Sequence, residues 1–182
     1  MVISPNVSIL SIIYSYIYGN SCIIMRNLSL FAIVFLLASC TSLPRVLVSS
    51  DIGGTDPDDN QSMAHLLMNT DRIALEGIVS TPSYGDGSAK EILRMIDLYE
   101  QDYPALKAEY PKLMAPDALR AITKQGRHGM PAWKGFSEAT EGSDWIVSCA
   151  RKPSRKPLWV LAWGGLEDLG ESAANHGAEC LL

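Results

Sequence analysis

From residue 45 onward the apolar positions fall into short runs that alternate with stretches of helical period. Arg45–Ser50 (RVLVSS) is a β-branched run ending at Asp51. A Gly-rich acidic loop follows, and Asn60–Asn69 then puts Met63, Leu66 and Leu67 at helical spacing, which predicts strand, loop and helix in succession. Ile73–Ser80 predicts a second strand. Ser88–Glu100, with Ile92, Leu93, Met95, Ile96 and Tyr99, predicts a second helix, and TPSYGDG between them is loop chemistry. The three prolines from Pro104 to Pro116 allow at most short helical pieces, Asp117–Lys124 predicts one helix before a Gly126–Gly135 loop, and Glu138–Arg151 predicts another. Lys156–Trp163 (KPLWVLAW) reads as a buried strand with Trp159 in the core, and Gly164-Gly165 opens a helix over Leu166–Asn175. Strands separated by helices predict an α/β, Rossmann-like domain, a mostly parallel sheet flanked by helices, with ligands beyond the carboxyl ends of the strands. Asp51 and Trp163 both fall at such ends.

Residues 1–39 behave differently, for they are apolar and carry a single charge, Arg26. From Met25 the chain runs MRNLSLFAIVFLLASC: a positive start, the uncharged stretch Leu28–Leu37, then small residues before Cys40. This is the layout of a secretory signal peptide, and the stretch is shorter than the ~20 residues a bilayer span needs. Leu37-Ala38-Ser39-Cys40 resembles the bacterial lipobox, in which the cysteine is acylated and becomes the mature N-terminus. The expected organisation is therefore a leader at 1–39, with Met25 as the start that puts Arg26 first, a short linker at 40–44, and a domain from 45 onward. The expected location is outside the cytoplasm, in the periplasm or at the cell surface, held to the membrane by lipid on Cys40. Removing the leader takes Cys22 away and leaves Cys149 and Cys180 in the body, without metal-ligand spacing.

With 182 residues and 47% hydrophobic content, the chain supports one ordinary domain. Its net charge of −5, with no Lys/Arg-rich run, argues against nucleic acid as a partner, because phosphate neutralisation is the main source of that affinity. The candidate chemistry lies in Asp51-Ile52-Gly53-Gly54-Thr55-Asp56-Pro57-Asp58-Asp59, where four carboxylates share one strand-to-helix junction. Two carboxylates ~5 Å apart repel by roughly 3 kcal/mol at an effective dielectric near 20. A helix N-terminus returns only about 0.3–1 kcal/mol per anion. A tight loop then calls for a bound hard cation or a raised carboxylate pKa, whereas an open one leaves Asp58 or Asp59 to cap the helix and the rest solvated. An EF-hand starting at Asp51 fails because Asp56 stands where Gly is needed and Ser62 where Glu is needed; a P-loop fails for want of Gly-Lys-Ser/Thr. The Asp-x-Asp phosphotransferase pattern fits Asp56-Pro57-Asp58 only superficially, since Asn60 replaces the following Thr and Asp51, not Asp56, ends the strand.

The loop resembles the signature of nucleoside hydrolases, a strand followed by Asp-Thr-Asp-Pro-Gly-x-Asp-Asp. It is similar in particular to the nucleoside-hydrolase-like, cellulose-binding lipoprotein branch, whose loop reads Asp-Ile-Gly-Gly-(x)-Asp-Pro-Asp-Asp-x-Gln-Ser, continued here by Gln61 and Ser62. Leu75-Glu76-Gly77-Ile78-Val79-Ser80, Ile122-Thr123-Lys124-Gln125-Gly126-Arg127 and Leu161-Ala162-Trp163-Gly164-Gly165-Leu166-Glu167-Asp168-Leu169 are similar to later blocks. The resemblance implies a Ca²⁺ cofactor and cleavage of N-glycosidic bonds in a nucleoside or carbohydrate. Asp51 would bind Ca²⁺ and take a proton from the attacking water, Asp59 would be the bidentate ligand, Asp58 would hold ribose hydroxyls, and Trp163 would offer its backbone carbonyl to the metal. Asp56 lies in an insertion relative to true hydrolases, so its role is ambiguous. An all-oxygen set suits Ca²⁺, and carboxylates stabilise the positive charge that develops on the sugar.

Two departures bear on activity. Thr81-Pro82-Ser83-Tyr84 stands where hydrolases offer an Asn to the sugar, and the family's domain continues well beyond the block around Trp163. Residues 45–182 are therefore expected to form a domain incomplete at its C-terminus and nearly inactive, with the Trp159 strand as an uncovered sheet edge. His65 reads as an ordinary helix residue, neither His128 nor His176 lies in an acid motif, and HGAECLL at the end matches nothing recognisable. The alternative is a non-catalytic carbohydrate-binding lipoprotein, for which Trp133 is the plausible stacking platform.

Overall fold

A computed structural model of the chain describes residues 42–53, 57–82, 87–129 and 138–176, which from Leu43 onward belong to one unit, Leu43–Leu182. The leader with Met25 and Cys40, Asp56, the loop tip with Ser83 and Tyr84, and Trp133 lie outside the described residues.

Strand β1 (Arg45–Ser50) is buried at every position because helices cover both its faces. Its alternation divides the interior in two. Val46 and Val48 pack with α1 (Asp58–Leu67), α2 (Ala89–Glu109) and Leu119 of α3 (Pro116–Ala121), while Leu47 packs with Val79 and with Ile146 and Cys149 of α4 (Glu141–Ala150). Strands β2 (Ala74–Ser80) and β4 (Leu158–Trp163) flank β1 in parallel, and β3 (Thr123–Gln125) pairs with β2, giving the order β3-β2-β1-β4. The chain steps from β1 to β2 to β3 in one direction and then crosses to the far side of β1. The carboxyl ends of β1 and β4 are thus the point where strand order reverses, the place where open α/β sheets generally bind their ligands. Helix α5 (Glu167–His176) follows β4. No helix among the described residues is long and apolar enough to cross a membrane.

Three expectations need correction. Helix α2 does not stop before Pro104 but runs through it to Glu109. Pro104 is exposed, so water can satisfy the Glu100 carbonyl that loses its intrahelical donor. On either side of it Tyr103 and Leu106 still pack on the core, and the Tyr99 hydroxyl donates to Met114 O at 2.9 Å. Second, Asp117–Lys124 is not one helix: α3 ends at Ala121 and Thr123–Gln125 becomes β3, because Ile78 N–H reaches Ile122 O at 3.0 Å and draws the chain into the sheet. Third, Trp159 is not core; β4 is the sheet edge, and Trp159 stands 59% exposed beside half-exposed Leu161. The edge itself was expected.

Between Val46 and Leu47 the β1–β2 register slips, leaving Glu76 as the extra residue of a bulge. Its carbonyl accepts from Trp145 Nε1 at 3.0 Å, and its carboxylate faces Arg45, whose Nε and Nη2 donate to it at 2.6 and 3.0 Å. Arg45 Nη2 also reaches Cys149 O, near the C-terminal end of α4, at 2.7 Å. A buried cation thereby joins two strands and a helix C-terminus.

Candidate active site

Asp51 leaves β1 at the reversal point, and its backbone N–H donates to Trp163 O at 3.0 Å. The carbonyl proposed from sequence as a metal donor is therefore beside Asp51 and keeps its second lone pair. Gly164 closes the other side. Its φ is +99°, and a Cβ there would lie 2.1 Å from Asp51 Cγ and Oδ1, so only glycine fits both the conformation and the space. Helix α1 starts seven residues after Asp51 and returns Asp59 to it. Ser50 Oγ donates to Asp59 Oδ1 at 3.4 Å while accepting from Ile52 N–H at 3.1 Å, which fixes the turn out of β1.

The Asp59 carboxyl is pushed up to about 7, first by burial, then by its hydrogen bond and charge contact with Asp51, with the charge of Asp58 adding to these. Among the described residues neither Asp51 nor Asp59 has an ion-pair partner. Asp58 Oδ1 accepts from Asp59 N–H at 2.9 Å, so this side chain lies along the first turn of α1. Next to Asp59, the buried Asn60 Oδ1 has no hydrogen-bond partner. Among the described residues no three His, Cys, Asp or Glu side chains converge as a metal group. What converges is the pair Asp51 and Asp59 with the Trp163 carbonyl. This set is all oxygen and carries uncompensated negative charge, properties that fit a hard cation such as Ca²⁺.

Asp168, unassigned from sequence, holds the neighbouring strand ends together. It is fully buried at the start of α5, and both its oxygens accept from Arg127 N–H, at 3.0 and 3.1 Å. The Thr140 hydroxyl donates to it as well, while Thr140 Oγ1 accepts from Ser143 N–H to cap α4. Gly126 permits this: a Cβ there would lie 2.3 Å from Asp168 Oδ2 and 2.0 Å from Ser80 O. Gln125 performs the same service for α2, accepting from Ala89 N–H at 2.9 Å and donating to Gly87 O at 3.2 Å. The one available sequence signal was Thr140-x-x-Ser143, a capping box. His65 and His128 are both exposed.

Residues 45–177 match the family described as Cellulose-binding Sde182, nucleoside hydrolase-like domain. The chain is also similar, with 27% identity and a TM-score of 0.65, to the solved structure of a nucleoside hydrolase-related protein from Saccharophagus degradans that is associated with carbohydrate metabolism. The match covers 74% of this chain and 33% of that one, so the chain spans about a third of the relative's length. No curated protein matches the chain. The chain belongs to the family of the cellulose-binding Sde182 nucleoside hydrolase-like domain.

Proposed function

We propose that this nucleoside hydrolase-like chain carries a calcium site of the N-glycoside hydrolase type on an exported lipoprotein, and that its own turnover is at or near background. The observation that carries the reading is the return of Asp59 to Asp51 at the strand-order reversal, against the Trp163 carbonyl and Gly164. Asp51, Asp59 and the Trp163 carbonyl would hold Ca²⁺, with Asp56 as a further candidate oxygen. Bound Ca²⁺ supplies a Lewis-acid centre that makes a nearby water easier to deprotonate. Asp51 takes the proton as the water oxygen attacks the anomeric carbon and the carbon–nitrogen bond breaks. The remaining negative charge of the pair stabilises the positive charge developing on the sugar. The departing base also needs a proton. His65 and His128 are exposed and neither lies in a recognisable acid motif, which is why low turnover is proposed.

The test is an assay of the full chain on inosine, uridine and a nitrophenyl riboside in millimolar Ca²⁺, beside Asp51→Asn. Ca²⁺ binding without turnover is expected; robust turnover that vanishes in Asp51→Asn refutes the inactive part, and no Ca²⁺ binding refutes the site. Lipidation of Cys40 is tested by intact mass after membrane extraction, where loss of the leader plus acyl mass is expected. A second reading is a non-catalytic carbohydrate-binding lipoprotein, which the cellulose-binding description of the family supports.

A further inference from the structure

The expectation of no Lys/Arg-rich run needs one local correction. Arg151-Lys152-Pro153-Ser154-Arg155-Lys156, the connection from α4 to β4, holds four cations in six positions. Pro153 and Pro157 stiffen it, and Ser154 Oγ accepts from Lys156 N–H at 3.0 Å. Arg151, Lys152 and Arg155 are exposed. Lys156 Nζ donates to Leu43 O at 3.0 Å, which ties this basic loop to the segment leading into β1. Strands β1, β2 and β4 start level with one another, Arg45 standing opposite both Ala74 and Leu158. The amino end of the sheet therefore sets the loop beside the α1–β2 connection, with Arg72, and the segment after α2, with Lys112, which Met114 N–H joins to Thr70 Oγ1 at 3.0 Å. Asp71 and Glu109 are the counter-charges in those segments. Helices α1 and α5 begin at the opposite end and bring Asp58, Asp59 and Glu167 to the side of Asp51. Although the chain is net negative, its domain is polarised along the strands, basic at the amino end and acidic at the carboxyl end. The basic end also carries exposed Leu43, Met68 and Tyr110, and exposed Trp159 is the second residue of β4.

Cations set among exposed leucine, methionine, tyrosine and tryptophan side chains suit a membrane interface, where basic groups meet lipid phosphates and the apolar and aromatic groups enter the headgroup layer. A nucleic-acid duplex draws on more phosphate contacts than one four-cation loop supplies, and it leaves the apolar side chains in water. Chain connectivity selects the same partner. Three residue steps separate Cys40 from Leu43, a reach of at most about 11 Å, so lipid on Cys40 would keep the amino end of the sheet close to the headgroups. Such an anchor fixes a point but no orientation. We infer that the amino end of the sheet, led by the Arg151–Lys156 loop, docks on an anionic phospholipid surface and orients the domain, with Asp51 about 20 Å further from the bilayer across the six residues of β1. The inference rests on the exported-lipoprotein reading for the nearness of a membrane, and not on the calcium site.

Full-length Cys40→Ala, which cannot be acylated at that position, is titrated with vesicles of phosphatidylglycerol and phosphatidylcholine in equal parts and with pure phosphatidylcholine vesicles, and binding is read by flotation. The apolar leader contributes to both, so the ratio of the two affinities reports the charged surface. A preference of at least about tenfold for the anionic vesicles is expected at low salt and is lost at high salt. Arg151→Gln/Arg155→Gln added to this chain should remove most of that preference, about a tenfold drop. Lys90→Gln/Arg94→Gln, the same charge change on exposed residues in the first turns of α2, should keep it. Equal binding to the two vesicle types, a preference unaltered by salt, equal losses in the two double variants, or tighter binding to a DNA duplex than to anionic vesicles overturns the inference. An unmodified intact mass for wild type, with the anionic preference retained in Cys40→Ala, removes the lipoprotein and leaves the basic surface standing, so the two readings fail separately.

Discussion

The two ends of β1 treat charge in opposite ways. At its start Arg45 and Glu76 meet in a two-pronged contact, Lys152 adds a second cation at 3.2 Å, and the Glu76 carboxyl is held below its usual range, chiefly by the Arg45 hydrogen bonds. Arg45 is pushed up in return by the same contact. At its end Asp51 and Asp59 meet with Asp58 nearby, and Asp59 is pushed up to about 7. Six residues of one strand thus separate charge that is matched from charge that is not. Matched charge at the first end holds β1, β2 and α4 in register. Unmatched charge at the other end destabilises the bare fold, and that cost is what a cation would remove.

A control for this contrast lies at the same end of the sheet, in Asp168, whose carboxylate is surrounded by donors. Asp168→Ala is expected to have the largest effect on stability, about 4 kcal/mol in urea unfolding, because it leaves the Arg127 N–H and the Thr140 hydroxyl without their acceptor. A loss below about 1 kcal/mol would show that the strand ends do not depend on it. Asp59→Ala is next: Ca²⁺ affinity should fall by roughly 100-fold in calorimetric titration, and equal heats in both proteins would remove the calcium site.

Glu76→Gln should cost about 2 kcal/mol by strand-end denaturant midpoints, since it strips charge-assisted bonds from a mostly buried cation. The smallest effect has the opposite sign. Asp59→Asn without divalent metal should stabilise the chain by about 1 kcal/mol at pH 8, once solvent screening at a partly exposed site is allowed for. The pH dependences follow from the two directions. The lowered Glu76 contributes stability above its ordinary value, lost as pH falls through its folded value. Raised Asp59 binds its extra proton in the folded state, so its contribution is most favourable below 3.8 and is lost as pH rises through about 7. Midpoints measured from about pH 2 to 8 should therefore lose part of their acid-side fall in Glu76→Gln and their neutral-side fall in Asp59→Asn. Parallel curves for wild type and Asp59→Asn would show that the pair is not coupled.

Much of this architecture was legible before the fold was seen. RVLVSS and KPLWVLAW announce strands by β-branched and aromatic density, and Met63, Leu66 and Leu67 announce α1 by spacing. The acidic loop named the candidate site because four carboxylates at one junction raise an electrostatic question whatever surrounds them. β3 was not legible, for Thr123-Lys124-Gln125 has no apolar alternation and exists only because β2 offers an open edge. Nor was the continuation of α2 through Pro104, which depends on Tyr103 and Leu106 finding a core to pack on.

The sequence by itself determined the succession of strands and helices, the placing of Asp51 at a strand end, and the family to which these blocks belong, since each depends on neighbours along the chain. Tertiary structure alone decided that Trp163 and Gly164 close on Asp51, that Arg45 finds Glu76 and Cys149, and that Asp168 gathers Arg127 and Thr140. These partners lie from about 30 to more than 100 residues apart, and local propensity carries no information about which distant donor a buried carboxylate will meet. It also decided the fate of Trp159. A strand's composition predicts that it joins a sheet, but only the order β3-β2-β1-β4 puts this one at the edge, where its ring meets solvent.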